Sequence, residues 1–273
     1  MVRQNLLYEF STFQFKQIKK NAHEVKSLIL NPSKEIFLHG LEAKPKHTGN
    51  KTPVAILLHG YTSNYRRVAY IANFLLSNGV AVILMNLRGH GKSSGKQKDV
   101  NGMQHDIDEI LNYVKSEKIF HEQKILLIGM SLGGLITLTA GFNHPDLTYL
   151  IALAGFSSPT DLLEGMTAFR RWRWKLIGKL GGLDVPSMVG QIQYTPKLQP
   201  QAKNQHKKIL LLHCKNDALV AVNNFWINVT AYSIKPKGYT LFSRGGHSFF
   251  LIKNQVLKTI HAWLGHNNFY NAE

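Results

Sequence analysis

One short stretch, Gly129-Met130-Ser131-Leu132-Gly133-Gly134, limits the fold of this chain more than any other. It lies where an apolar run at 125–128 gives way to a segment with helical character. A strand that turns directly into a helix at a serine strains the serine backbone, and side chains two residues before and after it would collide, so glycine fits both positions. The pattern predicts a nucleophile elbow, whose hydroxyl is exposed at the positive end of the new helix. A serine that only caps a helix is the plainer alternative.

The rest of the chain alternates apolar runs with helical periods. Buried strands are predicted at 54–58, 80–85, 124–128, 149–154, 208–212 and 238–242, and helices at 67–78, 100–116, 132–143, 220–232 and 249–264. Strands without polar alternation, separated by helices, are typical of a parallel sheet covered on both faces. Residues 6–15 and 35–43 are predicted as short antiparallel entry strands, with a turn at 31–33. In the helix at 100–116, Asp106, Asp108 and Glu109 are expected to face solvent.

A long insertion interrupts this alternation after the strand predicted at 149–154. Ser158-Pro159 has the form of a helix cap and first turn, and apolar residues then recur at spacings of three and four with basic residues between them. This pattern indicates a basic amphipathic helix. The 273 residues are therefore predicted to form one core domain, 1–157 and 206–273, with a helical insertion at 158–205 that is not an independent domain.

The net charge and the cysteine content indicate which partners and which cellular compartment fit this chain. The net charge of +17 attracts anionic partners, of which nucleic acid, anionic lipid, an acidic carrier protein and acidic small substrates all fit, as does a basic surface that serves solubility. Cys214 is the sole cysteine, so no intrachain disulfide or cysteine-based metal cluster can form, which favours a reducing compartment. With no signal-peptide pattern in the first residues, a cytoplasmic location is expected. The uncharged run at 125–142 just reaches membrane-spanning length, but its glycines indicate two buried elements and a turn.

Two further residues complete a catalytic constellation with Ser131. Asp217 follows the strand predicted at 208–212, and His247 lies in a glycine-flanked loop between the last predicted strand and the last helix. An elbow serine needs a base to remove its proton and a carboxylate to orient that base, in the chain order serine, acid, histidine. Ser131 would attack an acyl carbonyl, His247 would take the proton and return it to the leaving group, and Asp217 would hold the imidazole tautomer.

The tetrahedral intermediate of such a reaction needs two backbone N–H donors. The N–H of Leu132 is one candidate, and the N–H of Tyr61, in the loop after the strand at 54–58, is the other. The remaining histidines near these loops, His59, His90 and His213, are expected to be structural, and Cys214 is expected to pack in the core. No histidine or carboxylate pair near the elbow has the helical spacing of metal ligands, so neither a metal nor another cofactor is expected.

Together, several motifs resemble the α/β-hydrolase superfamily, and within it the branch that includes monoacylglycerol lipases, carboxylesterases and feruloyl esterases. They are His59-Gly60, Asn86-Leu87-Arg88-Gly89-His90-Gly91-Lys92-Ser93, Gly129-x-Ser131-x-Gly133-Gly134, the Asp217 loop and Gly246-His247. The resemblance runs from about residue 53 to 264. It implies a mostly parallel eight-stranded sheet with helices on both faces and a helical cap inserted between strands six and seven, where 158–205 falls. The cap would supply the acyl pocket, for which Met166, Phe169 and Trp172 are candidates.

The chain departs from the family pattern at two places. Asn86 stands where many relatives have an aspartate, so a charge contact behind the Arg88 loop is expected to be missing, and the HGGG loop of one lipase class is absent. A serine rather than an aspartate or cysteine at the elbow argues against dehalogenase, epoxide hydrolase and dienelactone hydrolase chemistry.

Three functions are considered. The first is a cofactor-independent serine hydrolase that cleaves small to medium acyl esters, with a small-molecule ester as substrate, through an acyl-enzyme. The second is a lipase or acyl thioesterase whose basic cap, 169–179, docks on anionic lipid or an acidic acyl carrier. The third is a non-catalytic binding protein on the same fold. Nucleic acid is not an expected partner because no aromatic and basic nucleic-acid module appears, and the oligomeric state is left unassigned.

Overall fold

A computed structural model describes residues 13–46, 51–164 and 206–270 of the chain. Its centre is an eight-stranded sheet with the strand order β1-β2-β4-β3-β5-β6-β7-β8. Only the β1–β2 and β2–β4 pairs are antiparallel, and the five other neighbouring pairs are parallel. The strands are β1 Ala22–Ser33, β2 Ile36–Pro45, β3 Thr52–Leu58, β4 Ala81–Met85, β5 Phe120–Met130, β6 Tyr149–Leu153, β7 Lys208–Cys214 and β8 Tyr239–Phe242. This sheet confirms the predicted fold class.

Helices cover both faces of the sheet. They are α1 Ala69–Ser77, α2 Val100–Ser116, α3 Leu132–Ile136, α4 Pro159–Glu164, α5 Val222–Ala231 and α6 Lys253–His266, and residues 13–21 are also helical. The apolar side chains of 13–21, α1 and α6 share one core cluster, whereas those of α2 and α3 share the other. A π-helical turn, Thr137–Gly141, continues α3.

The central strands are apolar throughout because each face of the sheet packs against helices. In β3, Ala55 and Leu57 belong to the core cluster under α1 and α6, while Val54 and Ile56 belong to the cluster under α2 and α3. Successive side chains of a strand point to opposite faces, so a strand covered on both sides has no position left for polar residues.

The predicted strand at 6–15 is wrong at residues 13–15, which are helical; the remainder of that prediction lies outside the part of the chain that the structure describes. Residues 13–21 form a helix that buries Ile18, and the amide Nδ2 of Asn73 donates to Gln14 Oε1 at 3.0 Å. The entry strand is instead β1, followed by a turn at 34–35. Its pairing with β2 is a tertiary contact that a local pattern cannot reveal.

Asp106 was expected to face solvent on α2, and this prediction is wrong. Its side chain is buried, and the Arg88 guanidinium binds it with two nitrogens, through Nε at 3.1 Å from Oδ2 and through a short contact between Nη2 and Oδ1. Arg88 Nη1 also donates to Asp99 Oδ2 at 2.8 Å. The spacing of apolar residues in α2 therefore predicts a narrower buried face than the helix has in the structure.

Asn86 shows why the loop after β4 tolerates the loss of an aspartate. Its buried Oδ1 accepts a hydrogen bond from the Tyr65 N–H at 3.1 Å, so the amide serves the neighbouring backbone. The expected gap in charge behind Arg88 does not exist, because two carboxylates bind Arg88, from the N-cap Asp99 of α2 and from Asp106 within α2.

The segment between β6 and β7 is where the insertion is predicted, and the structure describes its start, residues 158–164. Ser158 caps α4: its Oγ accepts from the Asp161 N–H at 3.0 Å and donates to Asp161 Oδ2 at 2.7 Å. This confirms the helix start that Ser158-Pro159 indicates. The cap candidates Met166, Phe169 and Trp172 lie outside the described residues, as does the rest of 165–205.

The uncharged run at 125–142 divides between β5, the turn at Ser131 and α3 with its π-helical continuation. Within the ranges that the structure covers, no helix is long and apolar enough to traverse a bilayer.

Candidate active site

Ser131 stands between the end of β5 and the start of α3, with φ 56° and ψ −112°. This conformation is rarely adopted by a residue with a side chain and persists only where its surroundings enforce it. A Cβ added at Gly129 would lie 1.9 Å from the Gly133 carbonyl oxygen, and one added at Gly133 would lie 2.7 Å from the Leu58 carbonyl oxygen. Glycine is therefore required on both sides, and the structure has the strained elbow that the spacing predicts.

Asp217 and His247 are joined by a direct hydrogen bond. The Asp217 side chain is buried, and its Oδ2 lies 2.8 Å from His247 Nδ1. Its other oxygen, Oδ1, accepts from the Leu219 N–H at 2.8 Å and the Val220 N–H at 3.0 Å. A carboxylate accepts only, so Nδ1 carries the proton in the neutral imidazole and Nε2 is left as an acceptor.

The pKa of Asp217 reflects opposing effects. Burial alone would raise the pKa, but the hydrogen bond from His247 and its charge, together with the Val220 N–H, outweigh burial and hold the pKa below its ordinary value. The carboxylate is therefore ionised at neutral pH, which is the state that orients an imidazole and stabilises its protonated form.

Ser131 lies at the same edge of the sheet as this pair. It follows β5, while Asp217 follows β7 and His247 follows β8, and the carboxyl ends of parallel strands lie at one edge. Backbone hydrogen bonds continue the sheet into these loops, from Ser131 N to Leu153 O and from Lys215 N to Phe242 O, each at 2.8 Å. Topology thus gathers three side chains that are far apart in sequence.

The two predicted N–H donors are each adjacent in sequence to a residue at the elbow, Leu132 to Ser131 itself and Tyr61 to Gly60. Leu132 is the first residue of α3, where a backbone N–H has no partner within the helix. Tyr61 follows Gly60, whose added Cβ would lie 3.1 Å from Ser131 Cβ and 3.6 Å from Ser131 Oγ. The backbone of the loop after β3 therefore packs directly against the serine.

Two neutral histidines hold this loop in place. His59 is fully buried, its Nδ1 lies 2.7 Å from Gly60 O, and its Nε2 accepts from the Leu87 N–H at 3.1 Å. Burial lowers the pKa of His59 to about 3 and also lowers the pKa of His90, so neither ring carries charge at neutral pH. His90 Nε2 accepts from the Thr62 N–H at 3.3 Å. Both residues have the structural role expected of them.

The strand end before the acid is also fixed by buried side chains. His213 Nε2 lies 3.0 Å from Val220 O, which closes the acid loop, and burial lowers the pKa of His213. Burial raises the pKa of Cys214 to about 12, so its thiol stays protonated and is not a nucleophile at neutral pH. Cys214 packs in the core as expected.

Asn216 is a site residue that sequence reasoning missed. Its side-chain Oδ1 accepts from the Gly246 N–H at 2.9 Å, directly beside the Asp217–His247 bond. Gly245 and Gly246 have φ of 134° and 63°, which are backbone conformations that favour glycine. The hydrogen bond to Asn216 therefore rigidifies the histidine loop from outside it. The signal in the sequence was an asparagine before the acid and two glycines before the histidine. Only the β7–β8 register shows that they meet.

A buried polar cluster at the end of β6 was also missed. Ser157 Oγ lies 2.7 Å from Asp161 Oδ2, and the Ser157 N–H donates to Asn224 Oδ1 at 3.1 Å. This cluster ties the first turn of the insertion to α5, beside the strand that lies between the serine and the acid strands. Over the described ranges, no three His, Cys, Asp or Glu side chains are grouped so as to hold a metal ion.

Comparison with known proteins adds to this geometry. The family model of the serine aminopeptidases, S33, matches residues 49–188, which is more than half of the 273 residues. The chain belongs to the serine aminopeptidase S33 family. It is therefore a hydrolase of the α/β-hydrolase superfamily. The S33 match includes Tyr61, Ser131 and Leu132 and ends before Asp217 and His247, so these last two rest on the geometry described above.

Relatives of this S33 chain include lipases and an esterase. It is 24% identical over 127 residues to the thermostable monoacylglycerol lipase of Bacillus sp. (strain H-257), covering 46% of this chain and 49% of that protein. It is 26% identical over 137 residues to the monoacylglycerol lipase of Mycolicibacterium smegmatis, covering 50% and 48%. The chain thus spans about half the length of these relatives. An esterase of Pyrococcus furiosus superimposes with a TM-score of 0.69 at 19% identity, over 89% of this chain and 92% of that one, which shows a shared fold.

Proposed function

We propose that this chain cleaves carboxylic esters of small to medium acyl chains through an acyl-enzyme, with Ser131 as nucleophile, His247 as general base and Asp217 as its orienting acid. The observation that carries the proposal is the 2.8 Å bond between Asp217 Oδ2 and His247 Nδ1 at the sheet edge that also holds the strained serine. The esterase and monoacylglycerol lipases among the relatives favour an ester as substrate.

Acylation begins at the hydroxyl of Ser131. His247 Nε2 takes the proton while Oγ attacks the carbonyl carbon of the ester, and the imidazolium that forms is stabilised by the ionised Asp217. Because Leu219 and Val220 donate to Oδ1 of Asp217, the other oxygen stays directed at His247. The carboxylate orients the base and does not itself take the proton.

The negative charge of the tetrahedral intermediate falls on the former carbonyl oxygen, and the N–H groups of Tyr61 and Leu132 would bind it. Collapse of the intermediate breaks the ester bond, and the proton on His247 passes to the departing alcohol. A water molecule, deprotonated by His247, then attacks the carbonyl carbon of the acyl-enzyme. The bond to Ser131 Oγ breaks, the proton on His247 passes to Oγ, and the carboxylic acid is released.

The insertion is proposed to act as the cap of this site. Residues 1–157 and 206–273 would form the core, and 158–205 would cover the serine and supply the acyl pocket with Met166, Phe169 and Trp172. The support is topological, since the chain leaves after β6 and returns at β7, between the serine and acid strands. We further propose a cytoplasmic location, because Cys214 is the sole cysteine and is a buried thiol.

The direct test is Ser131→Ala assayed on aryl acetate and butyrate esters. Turnover is expected to fall at least about 1,000-fold, because loss of the nucleophile abolishes the acyl-enzyme route. Ser116→Ala, at an exposed serine on α2, is the matched control and should leave turnover unchanged. Both variants should melt like the wild type. Comparable turnover in Ser131→Ala would overturn the role given to Ser131.

A substrate screen separates the ester from its competitors. The monoacylglycerol lipases among the relatives make a lipase the second candidate function. The family name, serine aminopeptidase, makes a peptide bond a further candidate for the bond that is cleaved. We expect kcat/KM to be highest for esters of acetate to octanoate and lower for monoacylglycerols, acyl thioesters and an amino-acid anilide. Labelling of Ser131 by a fluorophosphonate would exclude a non-catalytic binding protein. If Ser131 is labelled but monoacylglycerols are the preferred substrates, Ser131 stays the proposed nucleophile and the proposed substrate class changes from small esters to monoacylglycerols.

A further inference from the structure

Acidic residues are unevenly distributed along this chain. Residues 51–98 contain neither aspartate nor glutamate, and residues 206–270 contain only Asp217, whose side chain is buried against His247. These two segments build the loops around the site and two of the helices on one face of the sheet, α1 and α6. In contrast, α2 on the other face carries Asp106, Asp108 and Glu109.

The surface named here the basic face consists of helix 13–21, the turn at 65–68, α1 and α6. These elements pack together: Arg66 Cζ lies 4.9 Å from the Phe15 ring centroid, Lys253 Nζ lies 4.8 Å from the Tyr70 ring centroid, and Asn73 binds Gln14. The basic residues of this face are Lys16, Lys19, Lys20, Arg66, Arg67, Lys253 and Lys258.

Among the residues that the structure describes, no carboxylate lies within ion-pair distance of Lys16, Lys19, Lys20, Arg66 or Arg67. Burial is the larger cause that lowers the pKa of Lys253 to about 8, and repulsion by the charge of Arg67 adds to it. An anionic partner would relieve this repulsion.

Two large apolar side chains are exposed on or directly beside the elements of the basic face. Phe13 is 55% exposed and begins the helix whose Phe15 ring lies 5.8 Å from the Tyr65 ring. Leu251 is 73% exposed and follows His247 by four residues in the chain. Cations beside protruding apolar side chains are the combination that binds the headgroup region of an anionic bilayer.

We propose that the basic face docks on an anionic lipid surface, with Phe13 and Leu251 entering the headgroup region. A nucleic acid would bind the same cations but would gain nothing from an exposed leucine, which cannot stack on a base. The docking itself does not depend on the proposed function. Only the consequence of docking depends on the proposed function, since a docked serine hydrolase would meet ester lipids at the membrane surface.

The test is co-sedimentation of the full chain with phosphatidylcholine vesicles and with mixed phosphatidylcholine and phosphatidylglycerol vesicles. Binding is expected only to the mixed vesicles and should weaken as salt rises. The triple variant Lys16→Glu, Lys19→Glu, Lys20→Glu is expected to bind at least about tenfold more weakly, since each lysine near such a surface contributes to binding. The matched control reverses Lys96, Lys98 and Lys118, which are exposed beside α2 on the opposite face, and should bind like the wild type.

Further variants separate lipid docking from its alternatives. Leu251→Ser and Phe13→Ser should weaken vesicle binding without changing turnover of a soluble ester. Ser131→Ala should bind vesicles like the wild type, so failure of the ester hydrolase proposal leaves this test intact. Equal loss of binding in both triple variants would show a nonspecific charge effect and overturn the proposal. Tighter binding to a mixed-sequence RNA than to the vesicles at the same salt would overturn it as well.

Discussion

Asn216 and Asp217 are neighbours in the acid loop, and each binds one of two neighbours in the histidine loop. Asp217 binds the His247 ring, and Asn216 accepts from the Gly246 backbone, at 2.8 and 2.9 Å. The first bond orients the imidazole, and the second fixes the glycine backbone from which the imidazole projects. Asn216 touches no substrate in the proposed reaction, so its role is that of a positioning residue.

Asn216→Ala is expected to lower kcat about ten- to a hundredfold while KM changes little, because a small displacement of the base costs rate rather than ground-state binding. Asn216→Asp keeps the acceptor and should restore most of kcat. It should also move the pH–rate profile to more alkaline values, since an added carboxylate favours the imidazolium. Asn112→Ala, at an exposed asparagine on α2, is the control. Unchanged kcat in Asn216→Ala would remove the positioning role.

The depressed pKa of Asp217 predicts how stability depends on pH. A carboxyl group whose folded pKa lies below its unfolded value of about 3.9 stabilises the fold above that value, and this contribution is lost as the pH falls through the folded pKa. Asp217→Asn should therefore lower the melting temperature at neutral pH, with the difference from wild type shrinking as the pH falls below the unfolded pKa of about 3.9. Circular dichroism melts across this range measure it. Asp108→Asn, whose side chain is 65% exposed, should show no such trend.

At the scale of elements, a helix or strand was predicted correctly when the residues that indicate it all lie within one segment of the sequence. The helix predicted at 100–116 is α2, Val100–Ser116, because its apolar spacing and its Asp99 cap lie within one segment. The buried strands were predictable for the same reason. The edge strand β1 and helix 13–21 were not, since the former depends on pairing with β2 and the latter on packing against α1.

The ion pair of Arg88 with α2 tests such a tertiary contact. Arg88→Ala should lower the free energy of unfolding by about 3 kcal/mol, because it leaves the Asp106 carboxyl buried without its partner. The double variant Arg88→Met, Asp106→Leu should recover much of this loss, since apolar replacements need no charge compensation. Urea unfolding gives the free energies, and Arg244→Ala at an exposed site is the control. A double variant as unstable as Arg88→Ala alone would contradict this account.

At the scale of the whole molecule, the parallel sheet gathers the candidate site. The order Ser131, Asp217, His247 and their positions after strands were visible in the sequence, because those strands are apolar runs. Beyond the Asp217–His247 pair, the sequence did not show which side chains would touch. The Asn216–Gly246 bond and the Ser157–Asp161 contact depend on how β7 and β8 register and on where the insertion begins, and neither leaves a periodic signal.

The net charge of +17 makes a prediction for the molecule as a whole. An aryl succinate ester, which carries a free carboxylate, should have a kcat/KM about tenfold above that of the matched neutral butyrate ester at low ionic strength, because a positive field raises the encounter rate of anions. The ratio should fall towards one as salt rises. Stopped-flow assays at several salt concentrations measure it. A ratio that does not respond to salt would mean that the charge does not guide substrates.

The contact between Gly129 and Gly133 has a consequence for how such an enzyme could change over time. Packing of the main chain at these two glycines fixes where the Cα and Cβ of Ser131 stand. Mutations can therefore accumulate in the surrounding loops and in the inserted segment without shifting the reacting atom. New substrate preferences could arise there while the attacking group keeps its place.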